Sequence, residues 1–462
     1  MSRAGGRPRT SRDMLRFLRR RALHTKSALL DDLRGRGFVN DVTTPDHLHA
    51  ALESHPQAVY VGIDPTAPAL HVGHLLPLMC LLHFHVRGHR IIPLIGGATG
   101  LIGDPSGRTT ERELAEEQTT LRNTNSLVAH VETFFQRALI YAADRVPLSE
   151  DRFAPIRVFN NVEWHRDLTM MGFLRTVGLH SRVNTMLGRE SVRARLESKQ
   201  GISFTEFTYQ LLQAYDFYHL NKELGCSIQV GGSDQWGNIL SGISLIGRIN
   251  ASHPEDPPSA FGITTPLLTT ATGAKFGKSA GNAVWMDPQL TSYFVKVPDA
   301  DVENYMKLLT LMSRDEIDQV MSTHRASPEQ RIAQRRLASE LTELVHLKSG
   351  LTNAETMTKI LFDTRLNDIP AHHIVDAFKG NGSVYNLPPD ELFTTPVVKL
   401  AAKFGLASST SAARSLVSSR GLYLNNVPVV EVQQKIQTED LIDGQVVVLK
   451  VGKDKIAVLS AS

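Results

Sequence analysis

Short apolar runs alternate with longer amphipathic stretches between Tyr60 and about Pro298. The runs "RIIPLIG" (90–96) and "SIQVGG" (227–232) have the length of buried strands, whereas "FTEFTYQLLQAYDFYHL" (204–220) reads as a helix. This alternation predicts a parallel α/β sheet that binds ligands at the carboxyl ends of its strands. Past Pro298 the pattern turns helical. Ser313 with Glu316, and Thr352 with Glu355, fit capping boxes, and Ser327 before Pro328 reads as a cap and first helical residue. Ala333, Leu337, Leu341, Leu344 and Val345 hold a helical period until Gly350. Residues 365–396 are dense in Pro, Gly, Asn and Asp and read as a linker with one short helix. The expected organisation is an α/β domain over 28–298, a helical domain over 299–364, this linker, and a small module over 397–462.

Composition agrees with several soluble domains: 462 residues, 42% hydrophobic and 21% charged. No run of about 18 apolar residues occurs, so no membrane partner is expected. Cys80 and Cys226 are too few for a disulfide framework. The first 27 residues stand apart, with eight arginines and Lys26 against the single acid Asp13, a net of +8. "RDMLRFLRRRALHTK" sets Met14, Leu15, Leu18 and Ala22 on one helical face among arginines, the pattern of a mitochondrial transit peptide. An RNA-binding arm would carry similar charge. With the leader set aside, the +3 of the whole chain becomes −5 for residues 28–462, so any nucleic-acid contact must use local patches. The module 397–462 is one such region, with eight Lys and Arg against five Asp and Glu.

Candidate chemistry begins at "DPTAPALHVGH" (64–74), where His71 and His74 lie three positions apart. On a helix both imidazoles point the same way, and at its N-terminus they would stand where backbone N–H groups favour an anion. Gly73, without a Cβ, would let a base or phosphate approach closely. Zinc ligands, buried structural histidines and phosphate donors remain as readings, zinc being weakest because no third ligand lies nearby at a familiar spacing. A second element, "KFGKS" (275–279), places Lys275 and Lys278 around a glycine.

Together these elements resemble the "HIGH" and "KMSKS" signatures of class I aminoacyl-tRNA synthetases. The surrounding sequence is similar to tyrosyl-tRNA synthetases of the mitochondrial or bacterial type. The resemblance spans roughly residues 28–462, through "YVGIDPTAPALHVGH" (60–74), "GGATGLIGDPSG" (96–107), "FTEFTYQLLQAYDF" (204–217), "QVGGSDQWGN" (229–238) and "KFGKS". It implies a Rossmann-like catalytic domain, a helical anticodon-recognition domain and a small α+β S4-like RNA-binding domain. It also implies a homodimer, and the leader predicts that it acts in the mitochondrial matrix. The implied reaction joins tyrosine's carboxylate to the α-phosphate of ATP, releasing pyrophosphate, then passes tyrosyl to the terminal adenosine of tRNA(Tyr). Mg2+ would arrive with ATP, and no protein-bound metal or organic cofactor is implied.

Residue by residue, Thr66, His71 and His74 match the phosphate-holding positions, and Lys275 and Lys278 would close over them. Tyr60 and Asp216 match the groups that meet the substrate phenol. Asp104, Tyr209 and Gln213 match the surroundings of its α-amino group, with Gln229 and Gln235 nearby. Asp234 matches a contact to the ATP ribose, while Gly62, Asp64 and Gly73 belong to the adenylate-facing loop and helix start. "GGATGLIGDPSG" fits neither phosphate-loop nor dinucleotide spacing, so tight turns and close packing account for its glycines.

For tRNA, Arg182, Arg189, Arg193 and Arg195 form a candidate backbone-contacting patch, and Arg414 and Arg420 lie in the module that looks like an S4 domain. The match departs after Ser292, where the junction to the helical domain is short by about two helical turns. It departs also at Arg108, where lysine is common, and at Val61, which replaces a small polar residue. Tryptophanyl-tRNA synthetase is the nearest enzyme rival, and Tyr60 with Asp216 speaks against it. The rival outside enzymology is a splicing factor, with group I intron RNA as partner.

Overall fold

The computed structural model describes residues 29–106, 115–146, 156–197, 201–250, 259–269, 286, 290–362, 366, 368–380, 382–452 and 455–461. The leader, Arg108, Lys275 and Lys278 lie outside them. The chain divides into two compact units, residues 1–345 and 346–462.

The first unit is built on a six-stranded sheet of β1 (Asp41–Val42), β2 (Ala58–Ile63), β3 (Arg90–Ile95), β4 (Phe159–Asn160), β5 (Cys226–Gly232) and β6 (Phe261–Thr265), ordered β1-β6-β5-β2-β3-β4. All neighbours are parallel except β1 with β6. Both expected apolar runs are therefore strands, as the parallel-sheet reading required. From β2 the chain winds outward through β3 to β4, and β5 and β6 extend the sheet on the other side of β2. The order reverses between β2 and β5, which opens a crevice at their carboxyl ends.

Two helices wall that crevice. Val72–His85 is apolar around its whole circumference, with Leu75, Leu78, Met79 and Leu82 fully buried, so it packs as an interior helix. Phe204–Leu224 starts at Ser203, whose hydroxyl accepts from the Glu206 N–H, and ends at Gly225 in the left-handed region at φ 66°. It runs directly into β5, which fixes where its polar side chains meet the sheet. Behind the sheet, Arg36 donates to Asp32 and to the carbonyls of Lys307, Thr310 and Met312, fastening the first described helix to the helical region.

In that region Ser313 and Glu316 form the expected capping box ahead of Arg314–Ala326. Ser327 makes no side-chain cap, and Pro328–Gln330 is a single tight turn ended by Arg331 at φ 52°. Ala333, Leu337, Leu341, Leu344 and Val345 are buried along the next helix, Ile332–Phe362. Thr352 and Glu355 lie inside that helix, so they cap nothing. The break in the helix falls instead at Leu347, with φ 63° and ψ −179°. In the segment after Ser292, Phe294 is fully buried and packs edge-on against Tyr293 and Tyr305.

The second unit carries a five-stranded sheet of β7 (Val384–Leu387), β8 (Leu422–Leu424), β9 (Val427–Pro428), β10 (Val446–Val451) and β11 (Lys455–Ala461), ordered β7-β11-β10-β8-β9. β11 runs parallel to β7 and antiparallel to β10. Residues 365–396 are thus more than a linker. They form the helix Ala371–Lys379, the edge strand β7 and the helix Pro389–Thr394, and Leu387 and Leu392 enter the unit's core. Proline and glycine there punctuate short elements instead of preventing them.

Candidate active site

A cleft of about 320 Å³ opens where the sheet order reverses. Its lining includes Tyr60, Gly62, Asp64, Thr66, His71, Gly73, His74, Asp104, Tyr209, Gln213, Asp216, Gln229, Asp234 and Gln235. Every expected tyrosine or ATP residue that lies among the described residues is therefore brought to one place, although the chain separates the first from the last by about 175 positions.

At one end, His71 is the N-cap of the helix Val72–His85. Its Nδ1 accepts from the Gly73 N–H at 3.1 Å, and the His74 Nδ1 accepts from the His71 N–H at 3.2 Å. The rings stack with centroids 3.8 Å apart. Burial lowers the pKa of His71, and burial followed by the neighbouring imidazole lowers that of His74 to about 3. Both rings are neutral near pH 7, and because Nδ1 is an acceptor in each, the remaining proton sits on Nε2. The pair gives the cleft two N–H donors beside a helix N-terminus, with no added charge.

At the other end, Asp216 is 2% exposed. Its Oδ1 accepts from Trp164 Nε1 and His165 Nε2, both at 2.7 Å, and its Oδ2 from Asn161 Nδ2 at 3.0 Å. The hydroxyl of Tyr60 is buried in the same cleft with no hydrogen-bond partner among the described residues. Burial first, then Asp216 and the Cys226 thiol, raises its pKa well above the usual phenol range, so it keeps its proton. An unpartnered buried hydroxyl costs stability unless a ligand completes it.

Between the two ends, Asp64 accepts from Thr99 Oγ1 and from the Tyr209 hydroxyl, each at 3.0 Å. Asn161 donates to Thr99 as well as to Asp216, so one buried amide joins the two regions. Asp104 accepts from Gln235 Nε2 at 2.6 Å and from the Ser106 N–H at 2.9 Å. Close packing accounts for the glycines: a Cβ on Gly96 would lie 2.2 Å from Asp64 Oδ1, and one on Gly97 2.4 Å from Asn160 Oδ1.

The basic candidates divide. Arg182 and Arg193 are exposed, and Arg182 and Arg189 line a small separate cavity together with Arg248, Ser241 and Ser244. Arg195 does not belong with them. It is fully buried, paired with Glu206 at 2.9 Å, and its guanidinium also donates to the Gly201 carbonyl. An arginine desolvated to that extent needs its carboxylate, and Glu206 occupies it. Arg414 and Arg420 are exposed in the second unit.

Residues 52–363 match the family described as tRNA synthetases class I (W and Y), and residues 383–459 match the Tyrosine--tRNA ligase SYY-like C-terminal domain. The mitochondrial tyrosine–tRNA ligase of Saccharomyces cerevisiae is 42% identical over 92% of this chain and 87% of its own length. The chain belongs to the tyrosine–tRNA ligase family. The tyrosine–tRNA ligase of Roseiflexus castenholzii is 40% identical over 92% of this chain and 98% of its own. A C-terminally truncated Aspergillus nidulans mitochondrial tyrosyl-tRNA synthetase superposes with a TM-score of 0.67 at 33% identity, covering 75% of this chain and all of that one.

Sequence reasoning missed Thr99, Asn161, Trp164 and His165, and missed Arg248 in the basic cavity. The first lies within a glycine-rich stretch whose spacing points elsewhere. The next three follow the two-residue strand β4, and a polar cluster after a strand's carboxyl end in an α/β sheet is the signal that could have found them.

Proposed function

We propose that this cleft activates L-tyrosine with ATP and then transfers the tyrosyl group to the 3'-terminal adenosine of tRNA(Tyr). The substrate carboxylate attacks the α-phosphate, pyrophosphate leaves, and the adenylate's acyl group passes to the ribose hydroxyl with release of AMP. The substrate supplies its own nucleophile, so the enzyme contributes placement and hydrogen-bond donors. His71 and His74 offer their Nε2 protons to the phosphates, with Thr66 beside them, and Lys275 and Lys278 complete the charge on the leaving pyrophosphate. Mg2+ enters bound to ATP.

The observation that carries this reading is the pairing inside one cleft of an orphaned phenol hydroxyl at Tyr60 with a carboxylate at Asp216. A substrate phenol can donate to the carboxylate and accept from Tyr60, and phenylalanine can do neither. Gly62, Asp64 and Asp234 then receive the adenosine side, while Asp104, Tyr209, Gln213, Gln229 and Gln235 surround the α-amino group. Pyrophosphate exchange into ATP tests the assignment. Exchange should depend on tyrosine and stay near background with phenylalanine or tryptophan. Binding of group I intron RNA without any exchange would reverse the reading.

The site of action we propose is the mitochondrial matrix, on the strength of the arginine-rich leader. Cytosolic fluorescence of a protein fused to residues 1–30 would remove it. A homodimer would cover exposed apolar side chains such as Met170, Met171, Leu174, Leu179, Val183 and Phe204. Phosphates of the tRNA would meet Arg182, Arg189, Arg193 and Arg248, and the second unit, in the role of an S4-like domain, would present Arg414 and Arg420. The helices after Pro298 would serve anticodon recognition.

A further inference from the structure

Asp216 is held by more donors than a surface carboxylate would gather. An ionised carboxylate offers about four lone-pair positions, and it only accepts. Two positions, both on Oδ1, are taken by Trp164 and His165, and one on Oδ2 is taken by Asn161. All three donors come from the single turn 161–165, whose helix Val162–His165 follows β4. His165 is the unexpected member. Its side chain is 9% exposed, with the centroid of the Tyr215 ring 5.5 Å from its own. Its neighbour Trp164 is stacked on His219 at 4.5 Å, which restrains the indole that shares Oδ1. An apolar residue would fill that wall at lower desolvation cost, and the imidazole is therefore placed for its hydrogen bond.

We propose that His165 is a positioning residue for tyrosine selection. By sharing Oδ1 of Asp216 with Trp164, its Nε2–H fixes the rotation of the carboxylate. The acceptor left is then the second lone pair of Oδ2, in the cleft that Tyr60 also lines. With a single donor on Oδ1 the carboxylate turns more freely about its Cβ–Cγ bond and offers a poorer acceptor to the phenol. The inference rests on the cleft being a tyrosine site.

Two substitutions separate a positioning role from a packing role: His165→Leu fills the space without a donor, and His165→Gln keeps an N–H within reach. In tyrosine-dependent pyrophosphate exchange, His165→Leu should raise the tyrosine KM about tenfold and lower the preference for tyrosine over phenylalanine by a similar factor. The kcat and the ATP KM should stay within about twofold, and His165→Gln should recover the tyrosine KM to within about threefold of the parent. Where leucine prevents folding, tyrosine binding to His165→Asn, whose amide stops short of Oδ1, should show the same tenfold loss. Equal effects of leucine and glutamine, or a loss carried by kcat or by ATP, would overturn the proposal. Absence of tyrosine-dependent exchange in the parent enzyme, or its survival in Asp216→Asn, would instead remove the tyrosine reading beneath it.

Discussion

The two ends of the cleft are prepared in different ways. The Asp216 end is held by side chains: three donors from one turn surround a carboxylate that is 2% exposed. The His71 end is held by main chain, because each imidazole is fixed by a backbone N–H at the start of a helix. The contrast would suit the two tasks proposed for the cleft. Discrimination between tyrosine and phenylalanine needs an acceptor that cannot relax toward the wrong substrate, which a closed side-chain network supplies. Charge moving along a triphosphate needs donors whose positions cost nothing to reorganise, which a helix terminus supplies.

The largest test of this contrast falls on the side-chain end. Asp216→Asn should lower kcat/KM for tyrosine about a thousandfold, since it removes a charged acceptor and leaves three donors facing an amide. The ATP KM should move little, and an equal loss for both substrates would mean that the ends are not separable. At the main-chain end, His71→Ala should slow adenylate formation about a hundredfold with tyrosine affinity nearly intact, as measured by single-turnover kinetics. A full activation rate would show that the helix terminus suffices without the imidazole.

Acid sharpens the comparison further. His74 is held near pKa 3 in the folded protein, while an unfolded histidine titrates near 6.5. Between those values the unfolded chain binds a proton that the folded one refuses. The stabilisation is therefore complete above pH 6.5 and is lost as pH falls, by about 2 kcal/mol at pH 5. The gap between denaturant midpoints at pH 7 and pH 5 should narrow in His74→Gln, which keeps an acceptor and cannot titrate, while His71, His83 and His85, whose pKa values burial also lowers, keep part of it. An unchanged slope would place the acid sensitivity elsewhere. The smallest effect is expected at Thr99, which lies between Asp64 and the Asn161 amide that holds Asp216. Thr99→Val should raise the KM for tyrosine and for ATP by roughly threefold each, since the hydroxyl's bond to the Asp64 carboxylate is lost on one side and its bond from the Asn161 amide on the other. A change confined to one substrate would show that the Asn161 bridge does not connect them.

What the sequence disclosed followed from periodicity and from long local motifs. Strands β3 and β5 and the helix Phe204–Leu224 announce themselves by spacing. Tyr60, the histidine pair, and Tyr209, Gln213 and Asp216 sit in stretches long enough to be matched. What stayed hidden depends on pairing across distance. Nothing near Arg195 marks it as buried, because Glu206 lies on the next long helix, eleven positions away. Asn161, Trp164 and His165 matter through Asp216, more than fifty positions later. Residues 365–396 misled because their turn-forming residues bound elements as short as the four residues of β7, below the length at which alternation can be read.

The parallel pairing of β7 with β11 has a temporal meaning. As the polypeptide emerges during synthesis, Val384–Leu387 must wait some seventy residues for Lys455–Ala461 to arrive between it and β10. Until then β7 has no sheet to join and β10 presents an open edge, a template for aggregation. This unit is consequently a late and vulnerable folder, and losing those seven residues would cost it a central strand.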